Sequence, residues 1–262
     1  MSHRFLAKQW SLIYVRDVLR VLVARDFKLR YKRSVLGIAW SLLVPLAQLA
    51  VMYIVFKEIL RLTIPHYTSF LLAGILPWIW FQSSLITSSM TIVENRELVK
   101  QVGFPIAVLP TVTVLSQMIH FLLALPILAV FLLIDGLRPT LALVALPLVI
   151  LVQFALTVSL AYIVATLQVK FRDTQYLVGI CLLLFSYLTP VFWDFSGIPE
   201  PFYSIFMLNP MACLLTAYRA ILLHGQLPAA KPLAALAVLS SMVLSSGCIV
   251  FLRARDRFVE EL

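Results

Sequence analysis

Residues 106–134, IAVLPTVTVLSQMIHFLLALPILAVFLLI, contain no Asp, Glu, Lys or Arg, and they outnumber the roughly 20 apolar residues that a helix needs to cross a bilayer. Similar charge-free stretches lie on either side, at residues 35–56, 67–93, 140–167, 177–193 and 233–252. Together they make up more than half of the chain. The sequence therefore predicts an all-α, polytopic membrane protein with six transmembrane helices.

The composition agrees with this class and limits the kinds of transport. The chain is 62% hydrophobic and only 13% charged, which would leave large apolar patches on a soluble domain. Ion-driven carriers usually keep a carboxylate, Lys or Arg at membrane depth. The six stretches contain none of these residues, and His120 is their one histidine. A lone histidine there is more typical of a helix–helix hydrogen bond than of a proton relay. We therefore expect the energy for transport to come from outside this chain.

The distribution of positive charge predicts the orientation. The net charge is +9, but the basic residues gather before the first span, in the two connections on the same side, and after the last span. Five of the 21 Lys and Arg fall on the other side: Lys57, Arg61, Arg138, Arg219 and Lys231. The positive-inside rule then places both termini in the cytoplasm, and the clustering indicates a membrane surface rather than nucleic acid as the partner.

An amphipathic helix is predicted ahead of the first span, at residues 10–22, lying along the membrane interface. The run RDFKLRYKR at residues 25–33 follows it. Such a run either fixes topology by attraction to anionic lipids or binds a lipid-linked anionic substrate such as a diphosphate. The candidate residues for the substrate entrance are Arg25, Lys28, Arg30, Tyr31, Lys32 and Arg33.

The connection between the second and third spans, ENRELVKQVGFP at residues 94–105, mixes charged and apolar side chains before a Gly-x-Pro stop. This pattern predicts a short interfacial helix, which either lies on lipid or docks into a cytoplasmic partner. The candidate docking residues are Glu94, Leu98, Val99, Lys100, Val102, Phe104 and Pro105.

Residues 194–232 combine several prolines with apolar stretches, at 202–208 and 212–223, that are too short to cross a bilayer. We expect short re-entrant or gate helices between spans five and six, with an interfacial hairpin as the alternative. The three cysteines, Cys181, Cys213 and Cys248, have neither disulfide nor metal spacing, so no metal site is predicted.

Aromatic residues cluster in the second and fifth spans, where they either form an interfacial belt or stack on the faces of sugar rings. The candidate residues for a glycan path are Trp78, Trp80, Phe81, Tyr187, Phe192 and Trp193. The second span also carries Gln82, Ser83, Ser84, Thr87, Ser88 and Ser89. Such neutral groups suit either a hydroxylated cargo or hydrogen bonds between helices.

Several separated motifs in the same order together resemble one family. They are RYKRSVLGIAWSLLVPL at residues 30–46, Phe104-Pro105, Phe171-Arg172-Asp173, Thr189-Pro190, Leu208-Asn209-Pro210 and Tyr218-Arg219. The chain closely resembles, along essentially its whole length, the permeases of type-2 ATP-binding-cassette exporters of polysaccharides and polyol phosphates. That family exports O-antigen, capsule and teichoic acid.

The resemblance implies a homodimer of this chain with two copies of a separate ATPase, enclosing a channel for an undecaprenyl-diphosphate-linked glycan or a teichoic acid. The chain has eight glycines and no G-x-x-x-x-G-K-[ST] loop for ATP phosphates, so ATP and magnesium are expected on the partner, and no cofactor is expected here. By the same resemblance, residues 94–105 correspond to the coupling helix for the ATPase, and residues 25–33 become a candidate entrance for the lipid diphosphate.

These inferences divide the chain into a cytoplasmic amphipathic and basic segment at 1–34, a six-span permease domain at 35–252, and a cytoplasmic tail at 253–262. We expect a non-enzymatic permease of the bacterial inner membrane that exports lipid-linked O-antigen. Capsular polysaccharide, teichoic acid, and drug or lipid export by a related permease are the alternatives within transport. A membrane-embedded glycosyl- or phosphotransferase would need paired acidic residues, whereas Asp135, Asp173 and Asp194 are isolated in the sequence.

Overall fold

The structure is a computed structural model that describes residues 12–32, 36–61, 63–195, 206 and 208–261. All regular elements within these residues are helical. They are α1 Leu12–Tyr31, α2 Trp40–Tyr53, α3 Tyr67–Glu94, α4 Arg96–Val99, α5 Val108–Ile134, α6 Leu146–Lys170, α7 Thr174–Tyr187, α8 Pro210–Leu222 and α9 Ala230–Glu261. A 3-10 helix, Gly37–Ala39, leads into α2, a π-helical segment, Ile54–Ile59, continues α2, and a second 3-10 helix, Leu141–Ala145, leads into α6.

Five helical segments of the described chain are long and apolar enough to span a membrane: Trp40–Ile59, Tyr67–Glu94, Val108–Ile134, Leu141–Lys170 and Ala230–Arg255. The predicted all-α, polytopic class is thereby confirmed. The predicted span at 177–193 differs in detail, because α7 ends at Tyr187 after 14 residues. At 1.5 Å per residue it is about 21 Å long, short of a bilayer core of about 30 Å. Pro190 explains the early end, since it has no N–H and disfavours a helical Thr189.

Of the five long helical segments, α3 is the most buried. It packs against α5 and α6 and also contacts α2, α7 and α8. Leu71 and Ile75 on α3 are completely buried, together with the small polar residues Ser84 and Ser88. Small residues let neighbouring helices approach closely in membrane proteins. The outer helices instead expose many Leu, Ile and Val side chains, as expected for surfaces that face lipid tails.

The N-terminal helix extends well beyond the predicted residues 10–22, because α1 continues to Tyr31. No glycine or proline lies between Leu12 and Tyr31 to interrupt it. The helix packs on α5 through its apolar side, on which Leu22 is buried, while Arg16 and Asp17 are exposed and form an ion pair with each other at 3.0 Å. Most of the basic run is therefore part of a helix that is docked on the bundle.

The predicted short helix at 212–223 is present as α8, which begins after Asn209. The Asn209 side chain caps this helix by accepting hydrogen bonds from the backbone N–H groups of Met211 and Ala212, at 2.9 and 3.2 Å. With 13 residues, α8 is too short to cross a bilayer. Most of the companion stretch at 202–208 lies outside the described residues.

A buried arginine on α8 holds the irregular chain that follows α7. Arg219 is only 6% exposed, and it donates hydrogen bonds to the carbonyl oxygens of Pro190 at 2.6 Å and Val191 at 2.9 Å. Its guanidinium carbon also lies 3.5 Å from the centre of the Phe70 ring on α3. Arg219 was expected in a connecting segment outside the spans. Its burial instead supplies partners to carbonyl groups that have no helical partner.

Gly74 on α3 permits this contact. A Cβ atom at position 74 would lie 2.7 Å from the Arg219 Nη2 atom and 2.8 Å from the Val191 carbonyl oxygen, both closer than non-bonded atoms allow. The backbone of Val191 cannot yield as easily as the end of a flexible side chain. A glycine is therefore required where α3 passes beneath the segment held by Arg219.

We predict that Gly74→Ala destabilises the protein by about 1–3 kcal/mol, because the clash outweighs the intrinsic helix preference for alanine. Gly179→Ala on α7 is the matched control, since a Cβ there would meet no atom within 4 Å. The measurement is the midpoint of thermal unfolding in detergent, which should fall for the first variant and stay equal or rise for the second. Equal midpoints for the two variants would contradict a tight contact at Gly74.

Candidate functional site

Three parts of the chain meet at one end of the bundle, which we call the basic end: α1, the connection from α3 through α4 to α5, and the last part of α6. Arg25 on α1 donates a hydrogen bond to the Asn95 side chain at 2.9 Å. The Tyr162 hydroxyl on α6 donates to the carbonyl oxygen of Ala107 at 2.9 Å, which brings the end of α6 to the start of α5. Charges that are separated in sequence are thus collected on one side of the fold.

The last turn of α1 is docked on α5 by two polar contacts. Arg30 donates from Nη1 to the Gln117 side-chain oxygen at 3.0 Å, and the Tyr31 hydroxyl is hydrogen-bonded to His120 Nδ1 at 2.9 Å. The Phe27 ring stacks on His120 with 5.7 Å between ring centres. Gln117 and His120 are three residues apart and therefore lie on the same face of α5. His120 thus forms the interhelical contact expected of a lone histidine in a span.

Two adjoining cavities open at this junction. The first, which we call the apolar cavity, has a volume of about 310 Å³ and lies between α1, α2, α3 and α5. Its apolar lining includes Trp40, Val44, Pro45, Leu76, Ile79 and Phe121. The second, which we call the polar cavity, has a volume of about 390 Å³ and lies between α1, α3 and α5, nearer to α4. Arg30, Gln117 and His120 line both cavities and so mark their boundary.

The structure brings some of the predicted entrance residues together and separates others. Arg30 lies at the boundary of the two cavities, Tyr31 lines the apolar one and Arg25 lines the polar one. Lys28 and Lys32 are exposed on α1 and just beyond it, and they line neither cavity. Arg33 lies outside the described residues.

The contribution of α5 to this site is not evident from the sequence alone. Gln117 and His120 form hydrogen bonds with the two entrance residues Arg30 and Tyr31. The sequence around Gln117 and His120 indicates this role only weakly. An amide and an imidazole one turn apart in an otherwise apolar span stand out only once α1 is known to pack against that face.

The predicted docking connection is less regular than expected. Its helix, α4, covers Arg96–Val99 and is followed by turns, because Gly103 has a positive φ of 86° and Pro105 cannot extend a helix. Val99 is packed inside its own chain and Pro105 is also buried, whereas Leu98 and Phe104 are half-buried. Glu94 and Lys100 are exposed polar residues. Val102 is 96% exposed and provides the largest free apolar surface of the segment.

The aromatic residues predicted to line a glycan path occupy different surroundings. Trp78, Trp80 and Phe81 are buried, and Trp80 stacks on Phe121 with 5.1 Å between ring centres. Trp80 also lines the apolar cavity. The remaining three residues belong to the fifth predicted span and its end.

Of these three, Tyr187 is 65% exposed on α7. Phe192 is buried and stacks on Phe56 at 6.1 Å, and Trp193 packs edge-on against Phe206 at 5.3 Å. Most of the predicted rings therefore pack within the single chain. Their role along a glycan path stays a prediction.

Comparison with known proteins gives a consistent family. The family described as ABC-2 type transporter matches residues 17–223, which include most of α1, both cavities and the segment held by Arg219. The O-antigen export system permease protein RfbA of Myxococcus xanthus is 38% identical over 254 residues, which cover 96% of this chain and 98% of that protein.

A protein of the same name from Klebsiella pneumoniae is 33% identical over 258 residues, covering 98% of this chain and 99% of its own length. A second one from that organism is 36% identical over 220 residues, which cover 84% and 85% of the two chains. The family match and the similarity over nearly the full length agree with the helical membrane fold and with the resemblance seen in the sequence motifs. The chain therefore belongs to the ABC-2 type transporter family.

Proposed function

We propose that this chain is the permease subunit of an exporter that moves O-antigen, linked to undecaprenyl diphosphate, across the bacterial inner membrane. Two copies of the chain would act with two copies of a separate ATPase. The similarity to permeases named for O-antigen export supports the cargo. The observation that carries the proposal is the Arg30 guanidinium, which stands at the boundary between an apolar and a polar cavity.

The basic end is proposed to face the cytoplasm, with both termini on that side. Arg25, Lys28, Arg30 and Lys32 lie there, and Lys170 and Arg172 follow at the end of α6. Cytoplasmic segments next to membrane spans are enriched in Lys and Arg, and the inner leaflet attracts them. In this orientation the last turn of α1 would lie near the headgroups, where a lipid diphosphate is located before export.

Arg30 is suited to a diphosphate for two reasons. Arg30 is an exposed residue, and the one hydrogen bond of its side chain within the described chain runs from Nη1 to Gln117. The remaining N–H donors can form paired hydrogen bonds with phosphate oxygens, which the planar guanidinium matches well. The adjoining apolar cavity, which Trp40 and Val44 line from α2, would take the first part of the isoprenoid chain. A charged group and an apolar tail thus find matching surroundings side by side.

ABC-2 type transporters work with an ABC ATPase, and we propose that the segment from Glu94 to Pro105 provides the contact. Val102 protrudes from the basic end and is 96% exposed, whereas Val99 is only 2% exposed. An apolar side chain with polar neighbours matches the apolar centre and polar rim of protein interfaces. Val102 would therefore enter a pocket of the ATPase, and Val99 would hold the segment on its own bundle.

The diphosphate proposal is tested by Arg30→Gln, with Lys32→Gln as the matched control that removes the same charge from a side chain outside both cavities. A hydrogen bond to a charged group contributes about 1.5–3 kcal/mol, so the first change should weaken the response to substrate roughly 10- to 100-fold. The measurement is the concentration of lipid-linked glycan that half-maximally stimulates ATP hydrolysis by the reconstituted complex. Equal effects of the two variants would contradict a specific site at Arg30 and would favour a general attraction to anionic lipid.

The coupling proposal is tested by Val102→Asp, with the neighbouring exposed Gln101→Asp as the control that adds the same charge. Loss of a buried valine contact costs about 1.5–3 kcal/mol, and a buried unpaired charge costs more. Val102→Asp should therefore weaken binding of the ATPase by about tenfold or more, while the yield of folded permease is unchanged. Co-purification of the two subunits measures this. A complex of normal stability with Val102→Asp would overturn the assignment.

A further inference from the structure

The polar cavity is lined by two facing rows of uncharged polar side chains. On α3, Thr87 and Thr91 are four residues apart, so both lie on the face directed at α5. On α5, Thr113, Ser116 and Gln117 follow the same helical spacing and also line the cavity, and the Thr113 hydroxyl donates to the Thr91 hydroxyl at 3.3 Å where the two rows meet. The cavity is therefore rich in hydroxyl and amide groups, whereas its apolar neighbour holds mainly ring and aliphatic carbons.

The charges around the polar cavity are balanced. Arg25 and Arg30 line it, but so do Asp26 and Glu94. The Arg25 guanidinium forms an ion pair with Asp26 at 3.3 Å and donates to Asn95 at 2.9 Å, so its charge is already compensated. Such a lining does not favour a second anionic group beyond the one that Arg30 can bind. It suits a neutral ligand with many hydroxyl groups.

Two hydroxyl groups of this cavity have no protein partner within the described chain. Ser116 is 7% exposed, and its buried Oγ atom makes no hydrogen bond. Leaving a buried hydroxyl unpaired is unfavourable. Ser84, Ser88 and Ser240 are also buried without a partner in the described chain, but Ser116 differs from them because it lines a cavity that has room for one. Thr87 is exposed although it belongs to the most buried helix, because its side chain lines the cavity. Both groups can donate and accept hydrogen bonds, as the hydroxyls of a sugar can.

We propose that the polar cavity binds the first sugar of the lipid-linked substrate, with Thr87 and Ser116 as hydrogen-bonding residues. This inference rests on the proposed function. The order of the surroundings from α2 to α4 is apolar cavity, Arg30, polar cavity. The order of covalent groups in the substrate is isoprenoid, diphosphate, sugar. A substrate placed in this direction meets a matching environment at each of its three parts.

The size of the polar cavity agrees with such a ligand. Its volume of about 390 Å³ falls within the range of roughly 300–1,000 Å³ that is usual for small-molecule sites. The site would recognise the sugar at the anchored end of the polymer and not its length. Permeases with different residues at positions 87 and 116 would then accept different first sugars.

The test uses the purified complex of the permease with its ATPase and compares the binding of two lipids by titration. One is undecaprenyl diphosphate, and the other is the same lipid with one N-acetylhexosamine. Thr87→Val and Ser116→Ala each remove one hydroxyl from the cavity. Thr166→Val is the control, because the Thr166 hydroxyl is bonded to the Tyr162 carbonyl oxygen of its own helix at 2.8 Å.

We expect each cavity variant to weaken binding of the sugar-bearing lipid by about fivefold, the effect of one hydrogen bond, and to leave binding of undecaprenyl diphosphate unchanged. The control should change neither. Equal weakening of both lipids, or of neither, would overturn the sugar site while the proposed export function stands. If the wild-type complex binds neither lipid, the proposed function is contradicted, and the sugar site is rejected with it.

Discussion

Backbone polar groups at membrane depth must find partners within the protein, and this constraint organises the bundle around α3. Gln153 on α6 donates to the Pro77 carbonyl oxygen of α3 at 2.8 Å and accepts a hydrogen bond from the Tyr218 hydroxyl of α8, also at 2.8 Å. Arg219, next along α8, holds the carbonyl groups that follow α7. Three helices are thereby joined by a fully buried polar network, which fixes the short helices α7 and α8 against the centre of the fold.

The basic end of the same bundle instead combines polar side chains with open cavities. Arg30 uses one donor for Gln117, and the Ser116 hydroxyl has no partner among the residues that the structure describes. Both residues lie where α1 packs against α5 and where the apolar and the polar cavity meet. Ser84 and Ser88 in the packed part of α3 also lack a partner within the described chain, so what marks this junction is that its unpaired groups line open cavities. The junction is therefore a better candidate for substrate contact than the aromatic rings of α3, which are already packed against neighbours.

Hydropathy predicts the fold class because charge-free stretches of sufficient length leave a chain few alternatives in a bilayer. It does not predict that α7 ends at Tyr187, since the cause is local and lies in Pro190. The basic run indicated anion chemistry, but its docking depends on Gln117, which is 87 residues away from Arg30 in sequence. Similarly, Val99 and Val102 are equivalent in an amphipathic pattern, and the backbone turn at Gly103 together with tertiary packing decides which is exposed.

The most direct measurement is an electron cryo-microscopy map of the permease with its ATPase and a bound lipid-linked oligosaccharide. The proposed site predicts phosphate density within about 3 Å of the Arg30 guanidinium, with the lipid directed toward Trp40 and the first sugar toward Thr87. Phosphate density at the opposite end of the bundle, or cavities filled by side chains of the second permease copy, would contradict it.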